Sequence, residues 1–534
     1  MLHTPSKSPR VALAPKTNTL DTPHSIGALQ PKAISFLPTP PADRKLKRRI
    51  TTEGNPLQKR LKLSQRYEDG SSSDSESDDD QFMQDVEEIQ ARSRRNTTFQ
   101  LHTRLISGPA TVCRRYAPST TALLRSFVSS NKSDIFKCNS VGPDTYLTPP
   151  YACSYSHGAK AGRVPLLAVA TEQGTVHVLN TCKRQDWDPE SSRTTFQPHN
   201  NGIFDIKWNQ DDSSLATCSG DQSIRISDVQ TGDTTAALHG HTSTVKCVAW
   251  DPSNSSLLAT GGRDGAICLW DLRTGLGSLQ DVDLTATKPT LTIYGAHEDT
   301  TIKSKSKPRR GKHQHAPRTV TALLYPESQP YGLVSSGSYD GILRYWDLRK
   351  PMSSKKFKST KSVMPTELYC SPVDPATIHG SKRPRGIINL ASGSGPSAGV
   401  IFAIGTDSRI HTYDLPTLTA QRKTFSHQNL QTSTFYVGLS VSSCGRWLAC
   451  GGSAKRGNSF LFDVENAGRP GSTPEQGIEL KGQAGDIGAV DWAQDTLATC
   501  LDDGIVRVWR PDVETYSKCL KTPEESQWDW LWST

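Results

Sequence analysis

The chain has 534 residues, 34% hydrophobic and 22% charged, with 40 Gly, 34 Pro and a formal charge of +9. It is longer than the ~100–200 residues of a typical domain, but closed all-β architectures run longer as one unit, and the Gly and Pro content suits short strands and turns better than long helices. No apolar run approaches the roughly 18 residues that span a bilayer and the N-terminus lacks an apolar signal core, so no membrane segment and a soluble, intracellular protein are expected. The 12 Cys are irregularly spaced with no C-x-x-C. That pattern belongs to buried thiols in a reducing compartment, not to zinc clusters or redox pairs. Cys218, Cys247, Cys268 and Cys500 lie in strand-like runs and read as small core residues.

Residues 1–100 are rich in Pro, Ser and Thr and hold 16 Lys and Arg against 13 Asp and Glu. Such a segment cannot bury enough surface to offset the entropy of ordering, and a disordered tail is expected. Two basic clusters within it, Arg44, Lys45, Lys47, Arg48 and Arg49, then Lys59, Arg60 and Lys62, suit a nuclear import receptor that reads an extended chain. This places the protein in the nucleus; a solvated charge run is the bland alternative. Thr4 and Ser8 each precede a proline with a base nearby, as proline-directed kinases prefer, and are candidate phosphorylation sites. Residues 101–148 form a lead-in that offers a closing strand for the body, with 511–520 as the competing source.

From 149 to 510 the sequence repeats. An interval of seven residues joins Asp221 to Asp228, Asp264 to Asp271, Asp340 to Asp347 and Asp407 to Asp414, with looser versions at Gln173 and Asn180, Arg456 and Asp463, and Asp503 and Arg510. The seven units end at 180, 228, 271, 347, 414, 463 and 510, and a period of about 40–45 residues is that of WD-repeat propeller blades. Two longer intervals hold insertions, assigned to 275–318 and 350–399. Within "TVKCVAWDPSNSSLLATGGRDGAICLWD" apolar residues alternate along three strands, and DPS and RDG supply the turns. A small sheet cannot hide both faces alone, so blades pack around a channel and the ring closes. The expectation is an all-β fold, a seven-bladed WD-repeat β-propeller with a disordered N-terminal tail. A Trp-rich C-terminal segment, 511–534, follows, and its "WDWLW" at 528–532 either packs on the propeller or inserts into a partner.

His199, His241, His297 and His427 stand before four of the units. The spacing of His241, Thr260, Asp264 and Trp270 predicts a buried hydrogen-bond network that fixes loop geometry, and its recurrence from blade to blade argues for structure over catalysis. The sequence holds no G-x-x-x-x-G-K-S/T, no G-x-S-x-G and no metal-spaced His or Cys cluster. No catalytic residue, metal or cofactor is assigned, and a non-catalytic protein is expected. "SGSGPSAG", 392–399, reads as a flexible loop. The basic stretch 302–318 carries seven Lys and Arg without an acid; weak contact with DNA phosphates, a further import signal and a solvated excursion are its three readings.

Two units end in a Trp-Asp pair followed by an arginine two places on: Trp270, Asp271 and Arg273, then Trp346, Asp347 and Arg349. The arginines come from neighbouring blades and emerge on one rim, where two guanidinium forks can engage a partner's carboxylates or carbonyls. In the plainer reading each pairs with a local acid. The W-D-x-R motif is similar to that by which WD-repeat receptors dock on the damaged-DNA-binding (DDB) adaptor of cullin 4 RING ubiquitin ligases. Together with "PPYACSYS", "LLAVATEQGTVHVLNT", "HNNGIFDIKW", "DGILRYWDLRK" and "STFYV", it makes residues 149–510 resemble the denticleless (DTL) family. The resemblance implies a nuclear substrate receptor that presents replication and cell-cycle proteins, bound to the sliding clamp on DNA, for ubiquitination and degradation, with Arg273 and Arg349 as adaptor contacts. The sequence holds no Gln-x-x-aliphatic-x-x-aromatic-aromatic box of the kind that binds the clamp. A chromatin or histone-binding scaffold is the alternative function.

Overall fold

A computed structural model describes residues 119–533 except 143–144, 187, 276–285, 299–316, 328, 330, 352–364, 435, 454–457, 470–475 and 484. The tail, with its import clusters and with Thr4 and Ser8, lies outside the described residues, as does nearly all of 302–318.

Seven sheets follow one another along the chain and form the blades of a propeller; their pairings are antiparallel except where Ala286–Thr287 adds a parallel edge to Thr234–His239. Blade 3 shows how the sequence builds one. Val245–Asp251, Asn254–Gly262 and Ile267–Asp271 pair in order, and Leu291–Ile293 adds the outer edge. The Asp251 carboxylate accepts from Ser253 N at 2.8 Å and Oγ at 2.6 Å to turn the first corner. Asp264 Oδ1 accepts from Ala266 N at 3.0 Å in the second corner, where Gly265 takes φ +74°. An Asx turn and a left-handed glycine are what these residue types supply. The ends of the seven repeat units coincide with the ends of the third strands, or fall one residue short where Ile505–Pro511 closes the last unit, except in blade 4, where Arg344–Pro351 runs on past Asp347.

Seven hydrophobic clusters each lie between two neighbouring blades, including one between blades 7 and 1 that joins Val506, Val508 and Cys500 to Tyr155, Leu167 and Leu179. The ring is therefore sealed by packing all the way round. It is also sealed by hydrogen bonds. Phe127–Ser130 and Ile135–Lys137 both pair with Ile505–Pro511 as the outer edge of blade 7, and Trp530–Trp532 adds a strand beyond Phe127–Ser130. Residues 513–521 are helical, with Asp512 as N-cap. The Phe127 ring is fully buried and meets Trp447 and Trp492 edge-on, with centroids 6.0 and 5.7 Å apart. Of the terminal tryptophans, Trp530 and Trp532 are half-buried in the added strand, whereas Trp528 is exposed.

Two expectations need correction. The intervals 275–318 and 350–399 are not insertions throughout: Leu291–Ile293 and Pro365–Cys370 are the outer strands of blades 3 and 4, and Ile387–Ser392 is the inner strand of blade 5. Trp-Asp landmarks mark third strands alone, and these two outer strands lack a clean apolar alternation: Leu291–Ile293 has three residues, and in Pro365–Cys370 Leu368 is exposed. Nor is 392–399 a loose loop. It is a tight connection between two strands in which buried Ser397 donates to Gly445 O at 2.7 Å.

Candidate functional site

The third strand of a blade runs parallel to its first, so the ends of the third strands and the beginnings of the first strands lie on opposite faces. In blade 3, Leu257 faces Asp271 at one end, and Val245 faces Gly262 at the other. A seven-residue strand separates the two faces by roughly 20 Å.

Arg273 and Arg349 stand on the first of these faces, on adjacent blades. Each is clamped by the Asp of its own Trp-Asp pair. Arg273 Nε donates to Asp271 Oδ1 at 2.9 Å and Nη2 to Oδ2 at 2.8 Å, while its backbone N–H donates to Oδ1 at 3.0 Å. Arg349 repeats all three bonds with Asp347, at 3.2, 3.3 and 3.0 Å. The clamp holds although Arg273 lies in a 3₁₀ turn and Arg349 in an extended strand. The hydrogen bond from Arg273 holds the Asp271 carboxyl below its usual range. The plainer reading of a local acid partner thus describes the contact, yet the arginine side chains keep 62% and 59% of their surface exposed. A guanidinium held along one edge leaves the remaining N–H groups pointed outward in a fixed direction. Sequence reasoning missed Tyr331, half-exposed and 5.5 Å from the Arg349 guanidinium. Its φ of +69° is rare for a non-glycine residue and is held where its carbonyl accepts from Leu348 N at 2.9 Å.

On the opposite face the histidine networks differ from blade to blade. His241 joins Asp264 through Nδ1 at 3.1 Å and Thr260 through Nε2 at 2.8 Å, and Trp270 Nε1 donates to the same Thr260 hydroxyl at 2.8 Å. His199 does likewise with Asp221 and Thr217, at 2.8 and 2.9 Å. In blade 4, Arg318 lies 3.6 Å from Asp340 and donates to His297 O at 3.0 Å; His297 keeps its Ser335 contact at 2.9 Å, and its Nδ1 finds no hydrogen-bond partner among the described residues. Arg318, counted in the basic stretch, is thereby anchored in the blade. His427 joins no such network and accepts from Asn429 N at 3.2 Å. In blade 7, Gln483 takes the histidine's place, accepting from Thr499, which accepts in turn from Trp509 Nε1 at 3.1 Å.

These differences separate two imidazoles electrostatically. Burial alone would lower the pKa of His241, but the Asp264 hydrogen bond prevails and holds it at about 9. Burial, with Arg344 and Arg318 nearby, lowers that of His297 to about 3. The expected result in ¹⁵N-imidazole spectra is that His241 stays protonated through neutral pH and titrates near 9, while His297 stays neutral down to about 3. The stabilising share of His241 is accordingly complete below its unfolded pKa of about 6.5 and lost as pH rises through the folded value. Titration of both residues near 6.5 would refute this assignment.

Between the faces runs a central channel with a cavity of about 590 Å³. Six of the seven inner strands skip one residue in their pairing near the channel mouth: Tyr151, Phe204, Lys246, Thr321, Ile388 and Gly488. All six line the channel. Tyr151 stacks on Phe204 at 5.7 Å and 22° and on Tyr436 at 5.2 Å and 30°. Tyr436 can lie there because blade 7 presents Gly488, where a Cβ would come within 2.7 Å of the ring. The Lys246 ammonium caps the row, 3.6 Å from the Phe204 centroid. Aligning the repeats on first strands, as in "YACSY", "FDIKW" and "KCVAW", would have found this ring of positions.

Blades closed in a ring, with recurrent His, Asp, Thr or Ser and Trp networks, define a WD-repeat β-propeller protein. The family model for the WD domain, G-beta repeat, matches residues 190–228, 232–271 and 307–347. A denticleless protein homolog of Danio rerio is 32% identical over 402 residues, covering 72% of this chain and 56% of its own. That of Homo sapiens is 30% identical over 384 residues, 68% of this chain and 46% of its own. Protein lethal(2)denticleless of Drosophila melanogaster is 30% identical over 370 residues, 66% and 44% of the respective chains. The chain belongs to the denticleless family of WD-repeat proteins, and it spans about half the length of the curated relatives it matches.

Proposed function

We propose that this protein is the substrate-recognition subunit of a cullin 4 RING ubiquitin ligase, working in the nucleus. It docks on the DDB adaptor through Arg273 and Arg349 and presents replication and cell-cycle proteins, held on the sliding clamp at DNA, for ubiquitination. The observation that carries the reading is the pair of Asp-clamped, exposed guanidinium groups on adjacent blades of one face. Each fork is already oriented by its own aspartate, so little side-chain freedom is lost when a partner's acceptors arrive. The receptor performs no bond chemistry; it raises the concentration of substrate lysines near the charged ubiquitin carrier.

Arginines in such positions are frequent hot spots, so each change to Ala weakens adaptor binding by about 30-fold, or ~2 kcal/mol, and the double change abolishes co-purification at micromolar concentrations. Both side chains lie outside the core, and the melting temperature stays within about 2 °C of wild type. Wild-type affinity in a folded Arg273→Ala/Arg349→Ala protein would overturn the docking role. Histone-tail binding without adaptor binding would favour the chromatin scaffold instead.

A further inference from the structure

The arginine face carries one large side chain that the fold itself does not require. Gly332 N donates to Gln329 O at 3.1 Å and closes a four-residue turn between the first two strands of blade 4. Tyr331 is the third residue of that turn, with φ +69°. Turns of this kind take glycine or asparagine there, because a β-carbon at positive φ crowds the backbone. Here the glycine stands one place later, at 332, where a Cβ would collide with the Tyr345 hydroxyl. Among the described residues four others that are not glycine share a left-handed φ. Asp212, Gln222 and Ser408 are polar residues of strand corners, and Leu418 is fully buried, so that its packing offsets its strain. Tyr331 is a large ring, and 51% of its surface stays exposed.

The position of that ring gives it a use. Gly332 pairs with Asp347, and the Tyr331 carbonyl accepts from Leu348 N at 2.9 Å, so the turn is fastened beside the Trp-Asp pair. Asp347 holds one edge of the Arg349 guanidinium, and the Tyr331 ring lies 5.5 Å from it, within cation–π range. In blade 3 the same corner is turned by Asp251 and Ser253, which bring no ring to Arg273. The two arginine forks are thus unequal.

We infer that Tyr331 is a third contact of the docking surface and sets its specificity: its ring receives an apolar side chain of the adaptor, next to the carbonyls or carboxylates that Arg349 engages. The inference rests on the proposed docking function and deepens it by adding the apolar half of the partner's chemistry. A tyrosine held by its turn loses little freedom on binding, and aromatic residues and arginines are the commonest anchors of protein interfaces. Covering the ring also removes water from around Arg349, which strengthens each hydrogen bond that its guanidinium makes with the partner. Backbone strain kept at an exposed residue is accounted for by such a contact.

The test uses two changes that this backbone accepts more readily than tyrosine. Tyr331→Gly and Tyr331→Asn both suit a positive φ, and both delete the ring. In calorimetric titrations of the full-length chain with the DDB adaptor, each weakens binding by about tenfold or more, whereas melting temperatures stay within about 2 °C of wild type. Tyr331→Phe keeps the ring and stays within about threefold of wild-type affinity. A residue that only supported the arginine would lose its effect once the arginine is gone, so Tyr331→Gly is repeated on an Arg349→Ala background. There it still weakens binding by about threefold or more. Wild-type affinity of the Gly and Asn proteins, a Phe protein as weak as they are, or no further loss on the Arg349→Ala background would overturn the inference. A fall in melting temperature of more than about 5 °C in both would assign Tyr331 to the fold and overturn it as well. Arg273→Ala/Arg349→Ala is measured alongside. If that protein binds as wild type does, the docking reading falls and takes the inference with it; if it loses binding while the Tyr331 proteins keep theirs, the inference alone falls.

Discussion

Changing Asp134 to Ala lowers the unfolding free energy by about 3–5 kcal/mol, the usual cost of stranding one member of a buried ion pair. Asp134 lies between the two short strands that close blade 7. Its Oδ1 accepts from Arg510 Nε at 3.1 Å and its Oδ2 from Ser130 N at 3.0 Å, with 5% and 14% of the Asp134 and Arg510 side chains exposed. Arg510 occupies the place that Asp271 and Asp347 hold in their blades, so blade 7 has a cation where a Trp-Asp pair would put an anion. The closing segment supplies the missing acid. Arg510 also donates to Thr181 O of blade 1 at 2.6 Å, and Arg507 donates to Ser129 Oγ at 3.2 Å and Asn131 Oδ1 at 3.1 Å. Removal of the carboxylate leaves a guanidinium buried at the seam between first and last blades. Asp134→Asn keeps an acceptor and falls between the two. Urea midpoints measured with an unchanged slope decide the matter, and a loss for Asp134→Ala below about 1 kcal/mol would contradict the account.

Thr260→Val costs about 2–6 kcal/mol, because it leaves two buried donors without an acceptor at about 1–3 kcal/mol each. His241 Nε2 and Trp270 Nε1 both converge on the Thr260 hydroxyl at 2.8 Å, and the Thr260 and His241 side chains are fully enclosed. Valine has nearly the same shape, so packing is kept and the loss reports the hydrogen bonds. Thr260→Ser restores the acceptor and recovers most of the loss, leaving only a missing methyl. Equal melting temperatures for the Val and Ser proteins would show that the network contributes nothing measurable.

The blade order was legible because each third strand carries a Trp-Asp pair or its analogue seven residues after a turn residue, and the turn chemistry and strand alternation agree there. The outer strands were not legible. Leu291–Ile293 is three residues long, so no periodicity develops within it. The Arg rim was legible as a motif, but its clamp was not, since a two-residue Asp–Arg spacing does not reveal whether the side chains meet. Histidine position pointed to a network at His241, and His199 makes the corresponding contacts in its own blade. At His297 it missed Arg318, which lies in a stretch without acids and pairs with Asp340 in the folded chain. The channel mouth stayed hidden because its residues differ in type from blade to blade; backbone pairing, not side-chain chemistry, makes positions 151, 204, 246 and 388 equivalent.

The pairing of Val128 with Trp532 has a temporal side. A ribosome adding about 5–20 residues per second needs roughly 20–80 s to travel between those two points. For that time the strand Phe127–Ser130 is a nascent edge whose neighbours have not been made, with the aromatic Phe127 among its unpaired groups. Completion of this sheet in cells is thus timed by translation of Trp530–Trp532, and a chaperone that shields an exposed strand early in synthesis would raise the yield of closed ring.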